Sequence, residues 1–581
     1  MKKASKTLAL ILALCVVLAL SAFASGEASG GSSGGMGMPG GGNSAPTSYD
    51  AVLDITEDTE LDGVAMESVN GDENIIHVYE GATATITNST FTNGGVGSGG
   101  DSSSFYGVGA TLFVSDGEMY VDNVDIDSTV AGGAGVFAYA DGVAYVANAD
   151  ISTTQASAGG LHVAGGGTLY AWDCNVETQA GMAAAAIRSD RGGGVMVIDG
   201  GSYVTNGGTG AVYVTADISI HDAYLYTGGS EAIAIEGKNT IRLFDCDLEG
   251  TMIPSSINDN KVWNIIVYQS MSGDADVGTS HYEMVGGTLT THAGPIVYNT
   301  NTSSYITFSG VDITRNEDTT YFLQVTGNSS SRTWGSAGRN GANCIFTAVD
   351  QAMVGDVVYD TISNLDFYIL EGSSLEGAIH CDDTLNGGYT SDGVTNVYID
   401  AGSTWVVTGD SYINGTLACA GAIENAAIVD ASGAVLYGDG EYTVTVGALT
   451  GNVDVSGAGE VPVWEDYAVE NPFADASSAS AEPSGEASDA SGEAAPAAAA
   501  GDTSMDAWKA YLKEYVSACP AAQAHLDEFY AAIDAEAFDV MPGDMLFTDA
   551  YWGFSAATYD EFVAAGGAVA VPAFDPNLVE D

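Results

Sequence analysis

The sequence predicts an all-β fold, a parallel β-helix (solenoid) with a small C-terminal α-helical module, on three observations. An eight-residue phrase of apolar, polar and turn residues recurs about every two dozen residues. The strands it implies are short and are broken by Gly, Asn and Asp. Helical spacing appears only near the end of the chain.

The chain begins with Lys2, Lys3 and Lys6, then an unbroken apolar run from Leu8 to Leu20, then Ala22, Phe23 and Ala24. This order predicts a signal peptide over residues 1–24, cut after Ala24. Cys15 follows Leu14 inside the apolar run, where a lipoprotein leader needs a small residue, so no lipid anchor is expected. No later stretch approaches the roughly 18 apolar residues of a membrane span. The expected location is extracellular, either secreted or held non-covalently at the cell surface.

Without the three leader lysines, 10 basic side chains face 77 acidic ones, a net charge of −67. A polyanion of this kind repels phosphate backbones, which excludes nucleic acid as a partner. The remaining cysteines, Cys174, Cys246, Cys344, Cys381, Cys419 and Cys519, are too sparse for a disulfide scaffold, and none forms the close pair of a zinc site.

The repeat is clearest in the phrase Met119-Tyr120-Val121-Asp122-Asn123-Val124-Asp125-Ile126. Its copies begin at Met119, Ala144, Leu169, Val195, Ile218 and Ile241. A second phrase follows the same rhythm from Ala110, Gly135, Gly160, Ala185, Ala211 and Ala232. Each period then holds several short strands, and each strand pairs with its equivalent one coil further on. Alternation along a strand points two apolar columns inward, one at those first residues and one at Val121, Val146, Ala171, Val197, Ile220 and Leu243. Burying them at about 25 cal/mol per Å² drives the folding of so long a chain.

Next comes Asn123, Asn148, Asp173, Asp199, Asp222 or Asp245, residue types that tolerate the left-handed backbone of a sharp corner. A small inward residue follows (Val124, Ala149, Cys174, Gly200, Ala223, Cys246), then Ser128, Thr153, Thr178, Thr205 and Thr227. The fourth copy requires one extra residue, expected as a bulge near Ser202. Weaker copies at Tyr305–Ile313, Leu365–Leu375, Val397–Val407 and Ala427–Val446 extend the rod over 49–465. At about 4.8 Å per coil, some 14 to 17 coils give a length on the order of 70 to 80 Å.

These repeats, with Tyr268–Ser280 (YQSMSGDADVGTS) and Trp334–Asn343 (WGSAGRNGAN), resemble the pectin-lyase-like right-handed parallel β-helix superfamily, and within it the secreted bacterial adhesin-like group. The resemblance covers about 400 residues. It implies a right-handed coil and a non-enzymatic surface role, without naming a ligand.

The flanks differ in composition. Residues 25–48 are Gly/Ser-rich, and residues 466–502 are an acidic, Ala-rich linker. Beyond them Trp508, Tyr511, Leu512, Tyr515 and Val516 fall at helical spacing, as do Leu526, Phe529, Tyr530 and Ile533. Thr558 and Glu561 form a capping box, so a small helical domain is expected over 503–581.

Relatives of such a fold include polysaccharide lyases and hydrolases, which need a base beside a cation-binding carboxylate cluster, or apposed carboxylates. The motifs NTD, GHG and RIK are absent, and Asp382-Asp383 stands alone. Arg188 and Arg191 are the least implausible base. Arg188 falls in a column otherwise filled by Phe113, Ala138, Val163, Val214 and Ile235, and a loop pair offsetting acidic charge explains both arginines as well.

The outward residues offer more. Tyr120, Tyr145 and Tyr170 stack on consecutive coils, and Trp172, Ile198, His221 and Phe244 continue that face, an arrangement that grips sugar rings by their C–H faces. The same stack would also stiffen the sheet or lie under a loop. Asp173, Asp199, Asp222 and Asp245 stack at one corner, where neighbouring carboxylates repel by roughly 1 kcal/mol in water and calcium would relieve them. Bonding to their own turn amides explains the column without a cation. Trp508, Tyr551 and Trp552 read as core of the tail module, and His380-Cys381-Asp382-Asp383 as ordinary loop chemistry.

These residues together point to a non-catalytic, adhesin-like protein without a required cofactor, whose partner is glycan or a cell-surface or matrix component. The alternatives are a polysaccharide lyase or hydrolase and a structural spacer displaying the C-terminal module.

Overall fold

The computed structural model describes residues 45–179, 183–328 and 334–474, and the single positions Lys509 and Lys513. The expected leader, most of 25–48, and the helical module 503–581 apart from those two lysines lie outside the described residues. The chain divides into two compact units at 481/482, within the expected linker, and the described strands all belong to the first.

The chain is a parallel β-helix. Short strands stack coil upon coil into a 35-stranded sheet that wraps several faces, joined near the C-terminal end by a 4-stranded one. Three strand columns define the cross-section. The first runs from Asp50–Ile55 through Glu73–Val78 and Leu161–Ala164 to Ile379–Cys381. The second runs from Thr59–Asp62 through Gly167–Trp172 and Thr240–Phe244 to Thr395–Ile399 and beyond. The third contains Ala65–Ser68, Asn175–Thr178, Ser202–Thr205 and Tyr224–Thr227. Strands end at Thr450, giving a rod on the order of 70 Å. Residues 451–465, expected within the rod, do not coil.

The corner between the second and third columns is made where the sequence places it. Asn88, Asn123, Asn148, Asp173, Asp222 and Asp245 all have φ between 48° and 56°. Side-chain amides brace successive corners: Asn123 donates to Asn88 Oδ1 at 2.7 Å, and Asn148 to Asp122 Oδ1 at 2.7 Å. Inside the next corner, Asn93, Ser128, Thr153, Thr178, Thr205 and Thr227 form a buried polar column. Thr153 Oγ1 donates to Ala158 O at 2.6 Å and Thr227 Oγ1 to Thr209 O at 2.7 Å, so these two hydroxyls satisfy turn carbonyls at the corner.

The fourth coil corrects the expected alignment. Met196, not Val195, pairs with Leu169 and Ile218, and Val195 is 40% exposed. Ile198 fills the second inward column, Gly200 (φ 77°) takes the corner and Gly201 the small inward position. The extra residue enters at the Gly192-Gly193-Gly194 turn rather than as a bulge near Ser202, whose strand pairs with Asn175–Thr178 without a break. Glycine is required there: a Cβ on Gly194 would stand 2.2 Å from Gly167 O. The first column slips likewise. Ala186, not Ala185, offers its carbonyl to Leu161 N, and Thr111, not Ala110, offers its own to Ile75 N and Ile76 N. Arg188 pairs with His162 and Tyr213, pointing outward, and Ser189 is the residue beside Val163.

The core changes character along the rod. The N-terminal coils bury Ala, Val, Ile and Leu. The C-terminal coils stack Phe308, Phe346 and Phe367 at 5.7 and 5.1 Å between centroids and bury Trp405 completely. At that end Ala426–Asp430 pairs in parallel with Tyr442–Val446 and antiparallel with the short strand Val435–Tyr437, and a short antiparallel edge resists further addition of strands.

After Thr450 the chain turns back. Residues 451–474 run along the outside of the second face toward the N-terminal coils: Gly459 N donates to Thr347 Oγ1 at 2.8 Å, Trp464 stacks on His221, and Phe473 meets Tyr120.

Candidate functional site

The aromatic ladder exists, but it occupies two adjacent columns. Tyr120, Tyr145 and Tyr170 pair in register, with centroids 4.5 Å apart and planes within 5° for the first pair, and 5.3 Å and 34° for the second. The parallel column is Trp172, Asp199, His221 and Phe244, so Ile198 is not part of it. Further along, Tyr368 and Tyr398 stack at 4.3 Å and 8°, a pair missed in the sequence although it continues the Tyr120 column.

This face is not open. Trp172 and Phe244, expected as exposed, are 5% and 3% accessible. Trp464 lies over His221 (4.7 Å, 9°) and Phe244 (5.6 Å), and Tyr467 packs on Phe244 (5.8 Å) with the Arg242 guanidinium 4.3 Å from its ring centre. Burial, with the bonded Glu118 carboxylate, pushes the Tyr120 phenol well above its usual value. At Tyr120, His221, Arg242 and Phe244, outward direction means contact with the chain's own returning segment.

The four-aspartate column is likewise altered. Gly200 holds the fourth corner, so the carboxylates of Asp173 and Asp222 are separated by a coil without one, and Asp199 stands one residue earlier, 2.7 Å from His221 Nδ1. The repulsion that called for calcium is correspondingly reduced. Among the described residues no three His, Cys, Asp or Glu side chains converge as a metal site.

Loops cover the first face and trap charge. Asp190 binds Arg188 Nε at 2.6 Å and His162 Nε2 at 2.9 Å, and Arg188 also reaches Ser104 Oγ at 2.9 Å and the Ala183 carbonyl. Burial lowers the His162 imidazole to about 4. Arg188 is thus committed to an ion pair shielded from any polymer. Arg191 pairs with Asp274 at 2.8 Å and sits over Phe105, which ties the Tyr268–Ser280 loop to the rod. Glu236, buried and raised above its ordinary value chiefly by desolvation, accepts from the Tyr213, Tyr268, Ser270 and Ser272 hydroxyls. Asp382 caps the turn at Thr384, and Asp383 accepts from Thr361, so these carboxylates serve loop closure.

The third face is the open one. A groove of about 420 Å³ runs across its outer surface, lined by Thr90, Thr92, Asp125, Asp127, Asp150, Ser152, Asn175, Glu177, Ser202 and Val204. Asn175 Nδ2 donates to Asp150 Oδ1 at 2.8 Å, holding amide and carboxylate in place. On the next coil the same two columns carry Tyr224 and Tyr226, whose rings are parallel within 7° with centroids 6.3 Å apart. Tyr224 is 41% exposed. Past the tyrosines stand Asp247 and Glu249. Nothing in the repeat marks this pair, because its rings lie two residues apart on one strand rather than on successive coils.

The chain matches no family model, no curated protein and no solved structure.

Proposed function

We propose that this is an extracellular, non-catalytic, adhesin-like rod that binds glycan, and that the binding surface is the third face. The signal-peptide pattern, the acidic composition and the resemblance to secreted β-helix proteins support the location and role. The decisive observation is the uncovered groove together with Tyr224 and Tyr226, which pair with its lining residues Ser202 and Val204 on the next coil. Parallel tyrosine rings offer flat apolar surface to pyranose C–H faces, and the flanking hydroxyls, amide and carboxylates orient sugar hydroxyls. Binding of this kind needs no cofactor. The lyase or hydrolase alternative loses its best base, because Arg188 is neutralised by Asp190 beneath loops.

Co-sedimentation with insoluble neutral and acidic polysaccharides, with and without calcium, tests the proposal. Retention of the protein without unsaturated products or new reducing ends is expected. Product release would make it an enzyme, and failure to bind any glycan would leave the spacer alternative.

A further inference from the structure

The returning segment holds the second face in an unusual way. From 451 to 473 no residue is buried, and among the described residues no main-chain to main-chain hydrogen bond joins this segment to the rod. Its hold rests chiefly on three aromatic side chains, Trp464, Tyr467 and Phe473, and the bond from Gly459 N to Thr347 Oγ1. It is bound as an extended peptide is bound to a receptor, by anchors spaced along a track, and Gly451 and Gly457 supply a pliable tether before it. Segments with few buried contacts open at low free-energy cost.

We propose that the second face is a peptide-docking track for residues 459–473 and that a second copy of the chain supplies this segment in trans, linking rods by segment exchange. The occupant is fixed by the structure itself: the anchors that fit His221, Phe244, Arg242 and Tyr120 are those of this sequence, and every copy carries both track and anchors. Exchange of an identical element forms no new kind of contact. The tether keeps the cis arrangement dominant in dilute solution, where the local concentration of its own segment is on the order of millimolar. Trans exchange becomes competitive where rods are crowded at a surface. The strong negative charge opposes it at low ionic strength, so added salt favours linkage.

The test uses the full chain with Trp464→Ala, Tyr467→Ala and Phe473→Ala, which vacates the track without touching the core, and a fluorescent synthetic peptide of residues 455–474. Circular dichroism of the variant should match the wild type. The peptide should bind the variant saturably and the wild type at least tenfold more weakly, while a peptide carrying the three substitutions should bind neither. Light scattering should show concentration- and salt-dependent dimers of the wild type that the triple variant lacks. Absence of peptide binding to the variant, equal binding to both proteins, or the same oligomers in both would overturn the proposal.

Discussion

The second and third faces of the rod are built on one plan and meet opposite surroundings. Both present two outward columns on consecutive coils, and both carry aromatic rings. On the second face the rings of Trp172 and Phe244 are buried, and residues that return from the far end of the rod lie over Phe244. On the third, Tyr224 stays open beside a carboxylate-lined groove. Strand alternation therefore decides which way a side chain points, and only the path of distant chain decides whether it meets solvent. Ligand-binding capacity follows the second property.

The loop-covered first face marks the extreme of that contrast and the largest expected effect. Burial holds His162 neutral down to about pH 4, whereas the unfolded chain protonates it near 6.5, its ordinary value. The folded state is thus the weaker proton binder. Stability from this site is full above pH 6.5 and declines as pH falls toward 4, by on the order of 3 kcal/mol. Urea unfolding at pH 7.5 and pH 4.5 should show a smaller acid loss for His162→Gln than for the wild type. Equal losses would mean that the first face is as solvated as the third.

Next in size is the contrast between the ring pairs. Replacing Tyr224 and Tyr226 by Ala should weaken glycan binding by about 1 to 3 kcal/mol, roughly ten- to a hundredfold, with little change in melting temperature. Replacing Tyr145 and Tyr170 should leave affinity within about twofold. A reversal of these two outcomes, read by calorimetry on the same oligosaccharide, would return the binding site to the ladder.

The buried thiols probe the rod from inside. Cys174 and Cys246 occupy one inward column three coils apart, are unpaired, and have their thiols pushed to about 12 by burial. Thiol reagents should modify them only at the rate of global unfolding. Fast labelling in native buffer would show that the coils open locally.

The smallest effect belongs to the covering segment. Trp464→Ala should cost no more than about 1 kcal/mol, because half-buried rings on a surface contribute little to stability. It should nevertheless raise the accessibility of Phe244, seen as faster hydroxyl-radical oxidation of that ring by peptide mass spectrometry. A large fall in melting temperature would instead identify the segment as an essential clamp.

The coil period, the inward columns and the corner residues were legible because each combines a chemical type with a fixed spacing. The register failed at three places for one physical reason. Val195-Met196-Val197-Ile198 and Leu112-Phe113-Val114 are apolar at both parities, and Ala183 to Ala186 is uniform, so alternation carried no signal there. The slip at Val195 moved Asp199 into the corner and Ile198 onto the outer face. The cover on the ladder was illegible for a different reason: Trp464, Tyr467 and Phe473 have no periodic spacing and contact residues far upstream in the chain. Tyr224 and Tyr226 were visible as letters, but their value rests on the openness of the third face, which no local pattern encodes.

Hydroxyl-radical footprinting of the tyrosines, with and without a bound oligosaccharide, distinguishes the open face from the covered one in the unaltered protein. The ligand should protect Tyr224 and Tyr226 and leave the oxidation of Tyr120, Tyr145 and Tyr170 unchanged. Protection of the ladder with no change at Tyr224 and Tyr226 would contradict a binding site on the third face.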